Sequence, residues 1–153
     1  MTALASLSLP VVTLLAASPA ISECDVRPAT LTCEYLTDPL GIDVAAPRLS
    51  WILNATSEGR RDLGQRAYQV QVATSMERLQ TDVPDLWDSG RVTSDQSLHV
   101  TYGGVPLESQ QWCFWRVRVW DQAGRASEWS ETAHWSMGIL SPEEWGGQWI
   151  GYT

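Results

Sequence analysis

The side chains that could perform acid–base chemistry in this 153-residue chain are carboxylates that stand in turns or near the ends of apolar segments. Paired carboxylates act as acid and base only where their environments hold the two pKa values apart. No pair here has such a sequence context, so we interpret all of them as solvated and predict no catalytic residue. The carboxylates considered are Asp85, Asp88, Asp121, Glu128, Glu131, Glu143 and Glu144.

Histidine and cysteine offer no metal or nucleophile pattern either. His99 and His134 alternate with apolar residues, and neither has a second histidine at ligand spacing or a Gly-x-Ser-x-Gly segment as a partner. The chain also has no Cys-x-x-Cys or Cys/His cluster of the kind that binds structural zinc. We therefore expect no metal site and no cofactor, and we place both histidines on the surface.

The three cysteines leave two arrangements open. An odd number requires at least one free thiol or a bond to another molecule. In an oxidising compartment Cys24 and Cys33 could pair, and in the other arrangement Cys24, Cys33 and Cys113 all remain thiols.

Arginine and tryptophan form the most distinctive pattern. The chain has nine tryptophans and ten basic residues, and all ten are arginine. Arg116 and Arg118 share one face of a predicted strand with Trp112 and Trp120, and Trp129 follows in the segment Ser127-Glu128-Trp129-Ser130. That segment resembles half of the Trp-Ser-x-Trp-Ser box of cytokine-receptor fibronectin domains, in which tryptophan rings interleave with guanidinium groups.

Two interpretations of this face remain open. In the structural one, Trp129 stacks on Arg116 or Arg118 through a cation–π contact. In the other, Trp112, Trp120 and Trp129 form a platform on which sugar rings stack. The second interpretation requires solvent-facing indole rings that no arginine covers.

The charge balance excludes two classes of partner. The formal net charge is −8 and the sequence pI is about 4.6. Nucleic-acid binding depends on clustered basic residues that displace counterions, and anionic membranes attract the same residues. We predict neither a nucleic-acid nor a membrane partner.

The elements that would position these residues are strands, because apolar and polar residues alternate with period two between glycine- and proline-containing turns. Seven short strands in about a hundred residues are typical of an all-β, fibronectin-III/immunoglobulin-like antiparallel β-sandwich. Trp51, Trp115 and Trp135 fall on apolar faces and are assigned to the core, whereas Gln69 and Gln71 are assigned to solvent. No convincing helix is expected, because only residues 75–80 could form a helical turn and that turn is too short to stand alone. The predicted strands are 30–35, 48–53, 67–74, 86–88, 98–102, 111–121 and 133–137.

The two ends differ from this pattern. Residues 1–22 are uncharged beyond the first residue and carry an apolar stretch, so we expect a signal peptide and a secreted or periplasmic protein; a plain N-terminal extension is the alternative. The sandwich is expected over residues 27–139. Residues 140–153 are expected to be a linker into a following domain, on which Trp145 and Trp149 would dock, so that the chain is a fragment of a longer protein.

The order of several short motifs is similar to the N-terminal fibronectin-III-like domain of α-L-rhamnosidases. Individually the motifs are unspecific, but together they span residues 28–151. One position departs from the family, because Cys113 stands where a buried tyrosine is usual. The motifs are Pro-Leu-Gly-Ile-Asp (39–43) with Pro-Arg-Leu-Ser-Trp (47–51), Gln-Arg-Ala-Tyr-Gln-Val (65–70), Leu-Trp-Asp-Ser-Gly-Arg-Val (86–92), Trp-Arg-Val-Arg-Val-Trp-Asp (115–121), 124–130 and 145–150.

The resemblance implies a role without catalysis for this chain. The whole enzyme would be an exported glycosidase that removes terminal L-rhamnose with inversion, and its two carboxylates would lie in a helical (α/α)6 barrel that this sequence does not contain. The chain would then be a non-catalytic accessory module whose partners are the following domains of the same polypeptide. The alternative is a free-standing module that binds carbohydrate, such as rhamnose-containing glycans, or that serves in adhesion.

Overall fold

The computed structural model describes residues 23–57 and 63–147, which form two antiparallel sheets packed face to face. One sheet has the strand order β1-β2-β6, and the other has the order β4-β3-β7-β8 with β5 also paired to β3. The predicted all-β sandwich is therefore confirmed. The elements are β1 Val26–Cys33, β2 Arg48–Ala55, β3 Gln65–Ala73, α1 Met76–Gln80, β4 Trp87–Asp88, β5 Val92–Thr93, β6 Val100–Thr101, β7 Trp112–Asp121, β8 Ala133–Ser136 and a 3₁₀ turn Pro142–Glu144.

The strand count differs from the prediction by one. The described residues contain eight strands, because Val92–Thr93 adds a two-residue rung to β3 opposite Ala67 and Tyr68. Two residues are too few to show an alternating pattern, which explains the omission. The first strand also begins at Val26 rather than at residue 30. The prediction missed its first residues because Thr30, with a φ of 50°, lies in a bulge that interrupts the alternation.

The core lies between the sheets and is built around indole rings. Trp51, Trp115 and Trp135 are all at most 1% exposed, as predicted. The indole N–H of Trp51 donates to the Oε1 atom of Gln65 at 2.9 Å, and the Gln65 amide in turn donates to the carbonyl of Gln96 at 2.6 Å. A buried glutamine thus satisfies the polar atom that a buried tryptophan brings into the core.

The assignment of Gln69 and Gln71 to solvent was wrong. Gln69 is 8% exposed and Gln71 is 2% exposed, so β3 is buried on both faces. Side chains from the neighbouring strand β7 cover these two glutamines. Periodicity identifies the two faces of a strand, but it does not show that long side chains from another strand roof the polar one.

A buried tyrosine hydroxyl bond exists, but it is made away from position 113. Tyr102 donates to the carbonyl oxygens of Leu86 (3.2 Å) and Val105 (2.8 Å), while Cys113 is fully buried in the core. This hydroxyl therefore links the loop after β6 to Leu86, the residue before β4. The departure at Cys113 leaves the fold intact.

The cysteines are three separate buried thiols. Cys24 lies two residues before β1 and Cys33 is its last residue. The extended strand therefore separates them by a distance on the order of 25 Å, whereas a disulfide needs Cα atoms within about 7 Å. The pairing considered from the sequence is therefore incompatible with the fold. Burial raises the pKa of Cys33 and of Cys113 to about 12, so both stay protonated.

The short turn that the sequence allows over residues 75–80 forms the helix α1, which Ser75 caps by accepting a hydrogen bond from the N–H of Arg78 at 3.4 Å. Among the described residues, no helix is long and apolar enough to cross a membrane.

Candidate functional site

The candidate site lies on the outer face of the larger sheet, where the segment after β7 folds back along that strand. Ser127 exchanges two hydrogen bonds with the backbone of Val119, its N–H donating at 2.8 Å and its Oγ accepting at 3.1 Å. Ser130 does the same with Val117, at 2.9 and 3.1 Å. The two serines therefore hold the intervening Trp129 against the face of β7.

Five side chains form an alternating stack on this face, which we call the Arg–Trp ladder. The guanidinium carbon of Arg116 lies 4.2 Å from the ring centre of Trp129, and that of Arg118 lies 4.6 Å from the same ring. Arg118 also lies 5.1 Å from the ring centre of Trp120, over which Arg91 lies at 4.8 Å. The order is thus Arg91, Trp120, Arg118, Trp129 and Arg116.

The arginines are held from below by the two buried glutamines. Arg116 donates through Nε and Nη2 to the Oε1 atom of Gln71 at 3.0 and 2.7 Å. Arg118 donates in the same way to Gln69 at 2.9 and 2.7 Å. The amide groups of both glutamines then donate to Asp88, at 2.7 and 3.0 Å. The two hydrogen bonds to a glutamine thus fix the orientation of each guanidinium group that stacks on an indole ring.

The electrostatics of this layer follow from its burial. Desolvation lowers the pKa of Arg116, although the carboxylate of Asp82, which accepts a 2.8 Å hydrogen bond from Nη2, works against it. Burial alone would raise the pKa of Asp88, but the hydrogen bonds from Gln69, Gln71 and the N–H of Gly90 outweigh it and lower that pKa. Hydrogen bonds therefore join Arg116, Arg118, the two glutamines, Asp82 and Asp88 into one connected network.

The structure separates the aromatic residues singled out from the sequence. Trp120 and Trp129 are half-buried and have guanidinium groups over their rings, whereas Trp112 is 48% exposed and lies beside Phe114 and His134. Trp145 is 63% exposed beyond the 3₁₀ turn. Trp149 lies outside the described residues.

Sequence reasoning missed four residues of this layer, namely Arg91, Gln69, Gln71 and Asp82. The register of β3 against β7 pairs Gln69 with Arg118 and Gln71 with Arg116. A signal existed, because the two glutamines and the two arginines have the same i, i+2 spacing on their strands. Arg91 lies in the irregular connection to β5, where no periodicity marks it.

The carboxylates are mostly exposed, as expected, but Asp121 is an exception. It is 2% exposed and accepts hydrogen bonds from the backbone N–H groups of Asp25 (3.2 Å) and Arg125 (2.9 Å) and from the Arg125 side chain at 2.7 Å. Arg125 also pairs with the carboxylate of Asp25. Asp121 thus ties the start of β1 to the turn after β7, so the interpretation of this residue as solvated was wrong.

A groove of about 940 Å³ runs between β1 and residues 125–133. Its walls carry both apolar and acidic groups, but the part of the chain that the structure describes has no group of three or more residues that could hold a metal ion. Representative lining residues are Pro28, Thr30, Leu31, Glu128, Glu131 and Thr132.

These features define an immunoglobulin-like β-sandwich domain in which the arginines and tryptophans of the sheet face contact one another. A family model for the Rha78A-like, N-terminal immunoglobulin domain matches residues 28–141, and the chain belongs to that family.

Named relatives agree with this assignment. The chain is 46% identical over 125 residues to an α-L-rhamnosidase of Streptomyces avermitilis and 41% identical over 118 residues to one of an Alteromonas species. These alignments cover 82% and 77% of this chain but only 12% of each relative. The chain therefore spans about an eighth of the length of the enzymes it matches.

Solved structures show the same relation. The fold superposes on the Streptomyces avermitilis α-L-rhamnosidase complexed with L-rhamnose with a TM-score of 0.77 at 44% identity, covering 84% of this chain and 12% of that one. It superposes equally well, at 0.77 and 35% identity, on the α-L-rhamnosidase of Dictyoglumus thermophilum, covering 83% of this chain and 14% of that one.

Proposed function

We propose that this chain is a non-catalytic N-terminal accessory module of an α-L-rhamnosidase, a glycoside hydrolase that removes terminal L-rhamnosyl residues. The observation that carries the proposal is the family match over residues 28–141 to a domain that forms about an eighth of its relatives. In this role the module stabilises the larger enzyme by packing on the domain that follows it.

The Arg–Trp ladder supports a structural role over sugar binding. A sugar platform needs indole faces that are open to solvent, and two of the three candidate rings, Trp120 and Trp129, have guanidinium groups over them at 4.2–5.1 Å. Displacing a guanidinium would forfeit a contact of roughly 0.5–2 kcal/mol for each ring. The ladder therefore serves the sandwich itself.

The test uses the 153-residue chain with 4-nitrophenyl α-L-rhamnoside and, separately, a tryptophan fluorescence titration with L-rhamnose. We expect neither hydrolysis nor a spectral shift at millimolar sugar, with the Streptomyces avermitilis enzyme as the positive control for hydrolysis. A sugar-dependent shift that Trp112→Ala removes would instead support a carbohydrate-binding module, because Trp112 is the most exposed of the three candidate rings.

We also propose that the protein is exported, on the basis of the uncharged, apolar residues 2–22. Expression in a bacterial host with cell fractionation tests this proposal. N-terminal sequencing of the periplasmic or secreted product should then begin near Ile21–Glu23, whereas intact Met1 in a cytoplasmic product would contradict export.

A further inference from the structure

The connection between β1 and β2, residues 34–47, is a compact loop whose two ends are clasped together. The N–H of Glu34 donates to the carbonyl of Arg48 at 2.9 Å, and the Glu34 carboxylate accepts from the backbone N–H and from the guanidinium of Arg48, both at 2.6 Å. The neck of this β1–β2 loop is thereby closed. Compact loops with closed necks are frequently functional.

The middle of the β1–β2 loop is fastened to the strand by which the chain leaves the sandwich. The N–H of Ile42 donates to the carbonyl of Ser136 at 2.9 Å, and the carbonyl of Ile42 accepts from the N–H of Gly138 at 2.7 Å. The N–H of Ser136 donates to the carbonyl of Pro39 at 3.1 Å. Asp38 accepts from the N–H of His134 at 2.9 Å. The loop is therefore preformed, and polypeptide that follows β8 starts beside it.

The outer surface of this rigid loop is unusually apolar. Tyr35 is 65% exposed, Leu36 is 56%, Leu40 is 70% and Val44 is 44%. These four residues lie within ten positions and make up more than a third of the eleven large exposed hydrophobic residues in the described chain. Exposed apolar residues that cluster, rather than scatter singly, mark interaction surfaces.

Backbone strain singles out Tyr35 within this surface. Glu34 (φ 46°) and Tyr35 (φ 70°) form the two central residues of a hairpin turn closed by two 2.9 Å bonds between Cys33 and Leu36. Such turns favour Asn-Gly, because both positions need a positive φ. The hydrogen bonds to Arg48 explain why a glutamate occupies the first of these two positions. The ring of Tyr35 lies about 5 Å from the Arg48 guanidinium and from the ring of His99 but stays largely in water, so burial does not explain a tyrosine at this position.

From these observations we infer that the β1–β2 loop is the docking surface for the protein domain that follows this sandwich in the same polypeptide. Two observations identify the following domain as the partner of this surface. The loop is hydrogen-bonded to Ser136 and Gly138, where the chain leaves β8. The matched segment is also only 12% of the length of the Streptomyces avermitilis relative. The inference rests on the proposed accessory function and specifies the surface that carries it out.

The experiment compares side-chain accessibility in two proteins by hydroxyl-radical footprinting. One is the free 153-residue chain, and the other is a chimera in which this chain replaces the matched segment of the Streptomyces avermitilis enzyme. We expect labelling of Tyr35, Leu36 and Leu40 to fall at least about threefold in the chimera, because a docked surface excludes solvent. Ile52 and Val83, which are 54% and 57% exposed, serve as internal controls and should not change.

Variants separate docking from folding. Leu36→Gln with Leu40→Gln should abolish the protection in the chimera and lower its melting temperature, whereas the matched pair Ile52→Gln with Val83→Gln should do neither. Tyr35→Gly should raise the melting temperature of the free chain, because glycine relieves the positive φ. A lower melting temperature of the free Tyr35→Gly chain would contradict the strain argument.

The outcomes distinguish this inference from the proposed function. Unchanged labelling of the β1–β2 loop together with protection of another surface would overturn the docking site and leave the accessory role standing. Protection nowhere on the chain would overturn both.

Discussion

Each ring of the Arg–Trp ladder is contacted by two guanidinium groups, and the central Arg118 contacts two rings. Planar guanidinium groups suit this arrangement because they stack on aromatic faces while their N–H groups donate hydrogen bonds in the plane of the guanidinium. A lysine ammonium cannot do both. Three of the ten arginines of the chain, Arg91, Arg116 and Arg118, stack on the two rings of the ladder.

At the residue scale, Trp129 should carry measurable stability. We expect Trp129→Ala to lower the free energy of unfolding by about 1–3 kcal/mol, because it removes the contacts with both Arg116 and Arg118. Urea unfolding followed by circular dichroism measures the change, and Trp129→Phe, which keeps a ring at the position, should recover part of it. A free energy unchanged by Trp129→Ala would refute the structural interpretation of the ladder.

Asp121 should make the stability depend on acid pH. Burial alone would raise its pKa, but the hydrogen bonds from Arg125 and Asp25 outweigh burial and lower the pKa below its ordinary value. A lowered folded-state pKa contributes stability above the unfolded-state value of about 3.9, and that contribution is lost as the pH falls through the folded-state pKa.

Urea unfolding between pH 7 and pH 3 tests this expectation. Asp121→Asn should destabilise the protein at pH 7 by about 1–3 kcal/mol, because an amide replaces the buried carboxylate that accepts hydrogen bonds from Arg125 and Asp25. The difference between wild type and Asp121→Asn should shrink below about pH 4. A difference that stays constant over the whole range would show that ionisation of Asp121 has no part in it.

At the element scale, the segment 126–130 replaces a regular strand beside β7 through its serines. Ser127→Ala and Ser130→Ala should each cost about 1 kcal/mol, because each leaves one backbone N–H of β7 without its side-chain acceptor. Hydrogen exchange should be faster at Val119 in the first variant and at Val117 in the second. Equal exchange at both amides in both variants would contradict the assigned pairing.

Gly104, in the β6–β7 loop, lies close against Leu86 and Trp87 at the start of β4. A Cβ atom there would lie 2.2 Å from the carbonyl oxygen of Leu86 and 2.4 Å from the hydroxyl of Tyr102. We expect Gly104→Ala to destabilise the domain by about 1–3 kcal/mol, because the backbone at Leu86 and the bonded hydroxyl of Tyr102 must move. Gly146→Ala, whose Cβ would meet nothing within 4 Å, is the matched control in thermal unfolding.

The strands with long alternating patterns could be predicted from the sequence, as β2, β3 and β7 show. The core indoles Trp51, Trp115 and Trp135 followed from the same alternation. The short rung Val92–Thr93 and the burial of Gln69, Gln71 and Asp121 could not be predicted, because they depend on which strands become neighbours. Arg91 joins the ladder for the same reason, since tertiary folding brings an irregular connection over Trp120.

At the scale of the whole molecule, two surfaces differ in chemistry. The larger sheet carries the Arg–Trp ladder on its outer face, where charged and aromatic groups contact one another. The β1–β2 loop, with Leu36 and Leu40 largely exposed, is rigid but apolar and lies at the exit from β8. In the proposed accessory function, the β1–β2 loop packs on the domain that follows, and the ladder stabilises the sandwich itself.

The most direct measurement of that central claim is the rate of heat inactivation of three proteins assayed on 4-nitrophenyl α-L-rhamnoside. They are the Streptomyces avermitilis enzyme, the same enzyme without the matched segment, and the chimera carrying this chain. We predict that deletion shortens the half-life of activity at least about tenfold and that this chain restores most of it, because packing between domains slows unfolding. Equal half-lives for the deleted enzyme and the chimera would contradict the accessory role.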